Sequence, residues 1–266
     1  MDGIRCQRMH GPEPDGDLAG ASLFVFSVDP TWGNMYFWLG KERRNARWPQ
    51  GSETWSDFGG RAMHASEDSA QVAAREFVEE TCGMLPYFEH DAIPRQTTED
   101  IADSLRSGHY LFRIVMWTET AEGKRRFITY VKQIPWSPHA MTDFHTTHQY
   151  LSKLQSRLQH SPQSSLNEVR SVLPHPAIVQ TSHGAHVSSD YLEKKAIRMW
   201  SVPQLREAIN LQLLREKRAR QAGVPMPSPN CDECAPISLA FKTERFRACF
   251  ISMVATVLKE LPLYDS

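Results

Sequence analysis

The chain has 266 residues, 41% of them hydrophobic and 23% charged, enough for one large domain or one domain with an appendage. Its net charge is −1, so no global field points to nucleic acid or a membrane as partner, and any basic patch must be local. No apolar run approaches the roughly 18–20 residues of a membrane span, the first residues carry no apolar secretion core, and the five sparse cysteines do not make a disulfide framework. We therefore expect an intracellular protein, cytoplasmic or nuclear, without a membrane partner.

Residues 1–20 are polar and rich in Gly, Pro and Asp, which predicts a flexible lead-in to a domain spanning 21–266. "ASLFVFSVD" and "NMYFWLGKE" predict two strands joined by the turn residues of "PTWGN". A polar loop with Trp48 and Trp55 follows, then "FGG" and a helix over about Ser69–Thr81, closed by Gly83. "HYLFRIVMWTE" and "RRFITYVKQIPW" predict a hairpin. From about 137 to 190 the chain changes character: "HQYLSKLQSRLQH" is helical in period and the rest is mixed and polar, so an insertion is expected there, one that would suit a protein partner. "AIRMWSV" predicts a strand, and "PQLREAIN" a helix opened by Pro203. After a Pro-rich loop, "FKTERFRACFISMVATVLKEL" predicts a long amphipathic helix, so a helical C-terminal extension runs from about 203. Strict alternation of strand and helix is absent, so the fold class is α/β with a mixed sheet packed between helices.

"AAREFVEETCG", Ala73 to Gly83, sets Glu76, Glu79 and Glu80 on one face of the predicted helix. Like charges at that spacing cost about 0.2–0.5 kcal/mol per pair. Arg75 pairs with Glu79 at four residues but does not neutralise three carboxylates. Most charged runs are solvated faces. Here the opposite face carries Ala73, Ala74 and Phe77, so the helix is docked, beside a glycine turn where backbone approaches a ligand closely. Hard oxygen donors in such a place suit Mg²⁺ or Mn²⁺.

These residues resemble the Nudix hydrolase family. Its signature places a glycine, five residues, a glutamate, seven residues, then Arg-Glu-apolar-any-Glu-Glu-any-Gly-apolar. Glu67, seven residues, and "REFVEE" from Arg75 to Glu80 match it position by position. Six residues, not five, separate Gly60 from Glu67, and two residues, not one, separate Glu80 from Gly83. The resemblance implies an α/β/α sandwich and metal-dependent cleavage of a diphosphate in a nucleoside diphosphate derivative. It implies Glu76, Glu79, Glu80 and the Gly60 carbonyl as metal ligands, Arg75 orienting Glu79, and Glu67 in support. The general base varies among such enzymes, and Glu193 is the candidate here. Its plainer reading is a solvated carboxylate beside Lys194 and Lys195.

"WSDFGG" and "EETCG" resemble eukaryotic and large-DNA-virus members, some of which remove mRNA caps. Capped RNA or a dinucleotide is thus an expected substrate, with nucleotide sugars and oxidised nucleotides open. The alternative is an RNA- or protein-binding subunit of the same fold with little catalysis. For substrate contacts the candidates are Lys41, Arg43, Arg44 and Arg47 on phosphates and Trp32, Trp48 or Trp55 on a base, although exposed basic loops and core tryptophans are the commoner roles. The basic stretch "LLREKRARQAG" reads by default as a solvated helix end. Cys231 and Cys234 with His183 and His186 would make a zinc set, but free thiols are the expectation.

Overall fold

A computed structural model describes residues 5–9, 17–45, 51–88, 97–120, 123–160, 175–181, 184–222 and 244–261. Its strands are β1 (Arg5–Met9), β2 (Asp17–Val28), β3 (Met35–Glu42), β4 (Trp55–Ser56), β5 (Phe58–Arg61), β6 (Phe112–Thr120), β7 (Gly123–Gln133), β8 (Ile178–Thr181), β9 (Gly184–Val187) and β10 (Lys194–Ser201). Its helices are α1 (Ser69–Glu80), α2 (Thr98–Arg106), α3 (Ala140–His160), α4 (Val202–Ala222) and α5 (Ala248–Glu260). The main sheet runs β1-β6-β7-β2-β3-β10, with β5 added beside β2 and β4 beside β3. Among the described strand pairings of this sheet only β2–β7 is parallel; the sheet is mixed, as expected.

Alternation along the strands sends side chains to two apolar layers. Ala21, Leu23 and Val25 of β2 face α1, α2 and α3, whereas Phe24 and Phe26 join Trp200, Leu205, Phe250 and Val254 on the side of α4 and α5. The result is the α/β/α sandwich that the motif implies. No helix among the described residues is long and apolar enough to cross a membrane.

Helix α1 begins where Asp68 accepts from the Gln71 N–H while the Gln71 side chain accepts from the Asp68 N–H, a reciprocal cap. It ends on two residues with positive φ, Cys82 (52°) and Gly83 (67°), the Gly83 N–H bonding the Val78 carbonyl at 2.9 Å. The extra residue of "TCG" is thus absorbed in the helix stop, after the last glutamate. Its thiol is buried and donates to the Tyr191 carbonyl at 3.3 Å, tying the short 3₁₀ turn Ser189–Leu192 to the end of α1.

Three expectations change. The lead-in contributes strand β1, because Arg5–Met9 completes the hydrogen-bonding edge of β6. The segment from 137 to 190 is no appendage where it is described: Phe144, Leu151 and Leu154 of α3, with Val187, Tyr191 and Leu192, belong to the core over α1. The last helix starts at Ala248, later than its period suggests. Before it, Phe246 bridges Trp55: the Trp55 N–H bonds the Arg245 carbonyl and the Arg247 N–H bonds the Trp55 carbonyl. Helix α2, not anticipated from the sequence, is amphipathic, with Ile101, Ala102 and Leu105 buried, and is opened by a Thr97–Asp100 capping box.

Phe77 is fully buried on α1, edge-on to Phe58 and Tyr87. Replacing it with alanine is expected to cost about 3–5 kcal/mol of stability, read as a lowered urea midpoint with an unchanged denaturant slope.

Candidate active site

Strand β5 and helix α1 build the site together. Gly59 pairs with Ser22 of β2, where a Cβ would lie 2.1 Å from the Ser22 Cβ. At Gly60 a Cβ would lie 2.2 Å from Glu76 Oε1. The two glycines therefore let β5 press on β2 and admit the Glu76 carboxylate against backbone. The Gly60 carbonyl oxygen itself lies against Gly20 of β2. In this arrangement Gly60 supplies room for the Glu76 carboxylate.

The carboxylates divide into an outer and an inner group. In the outer group Arg75 bonds Glu67 Oε1 at 3.1 Å through Nε, and Glu76 Oε1 at 2.9 Å and Glu79 Oε2 at 3.1 Å through Nη1. Its Nη2 also donates to the Arg61 carbonyl at 3.0 Å. The six-residue loop is thereby wrapped on one guanidinium, with the Met63 N–H closing on Glu67 Oε2 at 2.6 Å. Burial alone would raise Glu67, but the Met63 N–H and Arg75 hold it below the usual range. Burial raises Glu76, against the pull of Arg75. Glu79 is pushed up to about 7, by burial first and then by the charges of Glu76 and Asp190, with Arg75 opposing.

The inner group surrounds Lys194, the first residue of β10, which is 1% exposed. Its ammonium contacts Glu42 Oε1, Glu80 Oε1 at 3.0 Å and Ser56 Oγ at 2.8 Å. The second Glu80 oxygen accepts from the Gly59 N–H at 2.8 Å. Glu42 also pairs with Arg247 at the start of α5. Burial would raise Glu42, yet Lys194 and Arg247 hold it low; burial dominates at Glu80 and raises it, against Lys194. Asp57 is raised by burial and accepts from Ser22 Oγ at 2.5 Å.

Glu193 stands at the surface at the end of the 3₁₀ turn, its carbonyl accepting from the Arg43 N–H at 2.7 Å. Partial desolvation, then the charges of Glu42, Glu76 and Asp190, raise its carboxyl. Its side chain is exposed, and the charges of Glu42, Glu76 and Asp190 act on it. Lys194 is buried, and Lys195 pairs with Glu53. Arg43 and Arg44 are exposed where β3 ends, and the charge of Arg43 also reaches His148 of α3, which burial and Arg43 push downward.

Two expected substrate contacts are corrected. Lys41 alternates to the sheet face opposite Glu42, pairs with Glu244 at 3.1 Å and lies over the Trp55 ring. Trp55 is 1% exposed, donates to Glu244 at 2.6 Å and packs edge-on against Trp200, so it offers no face to a base. Trp32 is 77% exposed, but in the β2–β3 turn at the far end of β3 from Glu42. Arg47, Trp48, His183, Cys231 and Cys234 lie outside the described residues, and His186 is exposed on β9. Sequence reasoning missed Asp190, Glu42, Asp57 and Lys194. Lys194 sits between Glu193 and Lys195, so its neighbours in sequence gave no signal of its burial.

Among the described residues no three carboxylate, histidine or cysteine groups converge closely enough to hold an ion as they stand. The donor chemistry nevertheless fits a hard divalent cation at Glu76 and Glu79. These carboxylates are crowded, they share one arginine, and Arg75 Nη1 stands between them as a positive stand-in.

No family model matches the chain, and no curated protein matches it in sequence. Among solved structures it is similar to the NUDIX domain of Shewanella oneidensis NrtR complexed with ADP ribose, at 11% identity, covering 78% of this chain and 90% of that one, with a TM-score of 0.35. It is similar to a C. elegans Ap4A hydrolase binary complex at 14% identity, covering 77% and 98%, with a TM-score of 0.32. A mutT/nudix family protein from Listeria innocua is 19% identical, covering 50% and 72%, with a TM-score of 0.26. Likenesses of this strength carry no argument about activity, which rests on the geometry of the site.

A glutamate whose folded pKa is raised favours the protonated folded state, so stability falls as pH rises from the unfolded value of 4.5 toward about 7. In EDTA the melting temperature of the wild type is expected to drop between pH 5 and pH 8 more than that of Glu79→Gln. Parallel profiles would remove Glu79 as the source.

Proposed function

We propose that the chain is a metal-dependent diphosphatase that hydrolyses a diphosphate linkage in a nucleoside diphosphate derivative, with capped RNA or a dinucleotide as the substrate class its motif resembles. The observation that carries this reading is the outer carboxylate group: Glu67, Glu76 and Glu79 converge on Arg75, with Asp190 adding further negative charge. A solvated helix face would spread such charge into water. Here Glu76 is buried on a docked helix beside a glycine strand.

Glu76 and Glu79 would hold the Mg²⁺ or Mn²⁺, and the resemblance adds Glu80. When bound, the ion neutralises diphosphate oxygens and stabilises the charge that builds as the P–O bond breaks. Arg75 holds Glu79 in place, and Glu67 holds Arg75. Glu193, raised by partial desolvation and its carboxylate neighbours, takes the proton of the attacking water as its oxygen bonds to phosphorus. Arg43, exposed and bonded through its backbone N–H to the Glu193 carbonyl, would meet the phosphate oxygens, with Arg44 next to it in the chain.

The test is divalent-dependent product release from capped RNA, dinucleoside polyphosphates, nucleotide sugars and nucleoside triphosphates. Glu79→Gln is expected to lower kcat on the order of 10²-fold, and Glu193→Gln to lower kcat more than it raises KM. Absence of divalent-dependent turnover on the whole panel would refute the enzyme reading in favour of a binding subunit.

A further inference from the structure

Four elements send charge to one buried point behind α1, and a fifth sends a hydroxyl. Lys194 of β10 sits between Glu42 of β3 and Glu80 of α1, with Ser56 of β4 beneath it and Arg247, at the start of α5, on the far side of Glu42. The fit is specific. The methylenes of Lys194 fill the space over Gly40, where a Cβ would meet them at 2.8–2.9 Å. Its ammonium also donates to the Asp57 carbonyl at 3.3 Å.

Counting charge separates the three motif glutamates. The inner group pairs the carboxylates Glu42 and Glu80 with the cations Lys194 and Arg247, and the third carboxyl there, Asp57, is raised by burial and accepts from Ser22 Oγ. The outer group sets Glu67, Glu76 and Glu79 in ion pairs with Arg75, with the more distant charge of Lys194 acting on Glu76. Both Glu80 oxygens already have partners, the Lys194 ammonium and the Gly59 N–H. An added dication beside Glu80 would meet an ammonium 3.0 Å from the same oxygen, and close like charges in a low-dielectric site repel strongly. Beside Glu76 and Glu79 it would meet net negative charge and a displaceable guanidinium.

We propose that Lys194 is a positioning residue that serves as the permanent counter-cation of Glu80, so that a divalent ion is held through Glu76 and Glu79 while Glu80 anchors α1 to β5 and β10. This rests on the diphosphatase reading and narrows its ligand set. Glu80 then fixes the register between the helix that carries the ligands and the strand that follows Glu193. Arg247 extends the same link to α5, so docking of the C-terminal helix bears on the geometry of the site.

The experiment is Mn²⁺ binding, read by the loss of free-ion electron paramagnetic resonance signal, for the full chain and its variants. Glu79→Gln is expected to weaken Mn²⁺ binding by about 10–100-fold. The double variant Glu80→Gln with Lys194→Met removes one charge of each sign and is expected to lose less Mn²⁺ affinity than Glu79→Gln. A double variant that loses Mn²⁺ as far as Glu79→Gln overturns the proposal. A second measurement, the urea midpoint in EDTA, covers variants that fold poorly. Lys194→Met alone is expected to lower the midpoint more than the double variant does, and strictly additive losses would overturn the pairing. If the wild type binds no Mn²⁺, the diphosphatase reading falls, while the coupling in EDTA still decides whether Lys194 serves Glu80.

Discussion

A lysine ammonium buried among carboxylates is the contact on which the rest of this site depends. Removing Lys194 from water is costly, and the cost is offset only because Glu42, Glu80 and Ser56 close on it together. Each partner comes from a different element, so β3, β4, β10 and α1 must all be in register before the ammonium is satisfied. Arg247 extends the requirement to the segment that opens α5. Such a network is weak evidence for stability as such, since apolar packing often does as well. What it does supply is a single arrangement of α1 relative to β5, and α1 carries every motif carboxylate except Glu67.

The outer face follows from that placement. With Glu80 turned inward, Glu76 is pressed against Gly60 and Glu79 is left at the mouth, both bonded to Arg75. The 3₁₀ turn Ser189–Leu192 is tied to the helix end by the Cys82 thiol, which brings the charge of Asp190 to bear on Glu79. The residue that lengthens "TCG" beyond the family signature therefore has a structural use. It leaves the carboxylate face intact and supplies the anchor for the turn that precedes Glu193. The longer loop before Glu67 is accommodated differently, by wrapping its backbone on Arg75 and Glu67.

The basic and aromatic candidates show how a strand's alternation sorts neighbours in sequence. Lys41 and Glu42 are adjacent, yet one reaches Glu244 and the Trp55 ring on the α4–α5 side and the other reaches Lys194 on the α1 side. Trp55 belongs to the second apolar layer and its indole N–H is satisfied by Glu244. Composition alone suggested a basic, aromatic lip on the site. Arg43 and Arg44, beyond the end of β3, remain exposed, and the Arg43 N–H bonds the Glu193 carbonyl.

The spacing Arg75–Glu80, the apolar face of Ala73, Ala74 and Phe77, and the turn chemistry of Gly83 were enough to establish a docked helix with a carboxylate face. Those are local properties, set by helical period and capping within one segment. Strands β2, β3, β6, β7 and β10 were legible for the same reason, since their apolar runs are continuous. The split of the glutamates into an inward Glu80 and an outward Glu76 and Glu79 was not legible, because it depends on a lysine 114 residues further along the chain. The burial of Trp55, the β1 edge and the late start of α5 were hidden for a related reason. Each is decided by a backbone or side-chain partner distant in sequence, and local propensity carries no information about which distant element will fill a given vacancy.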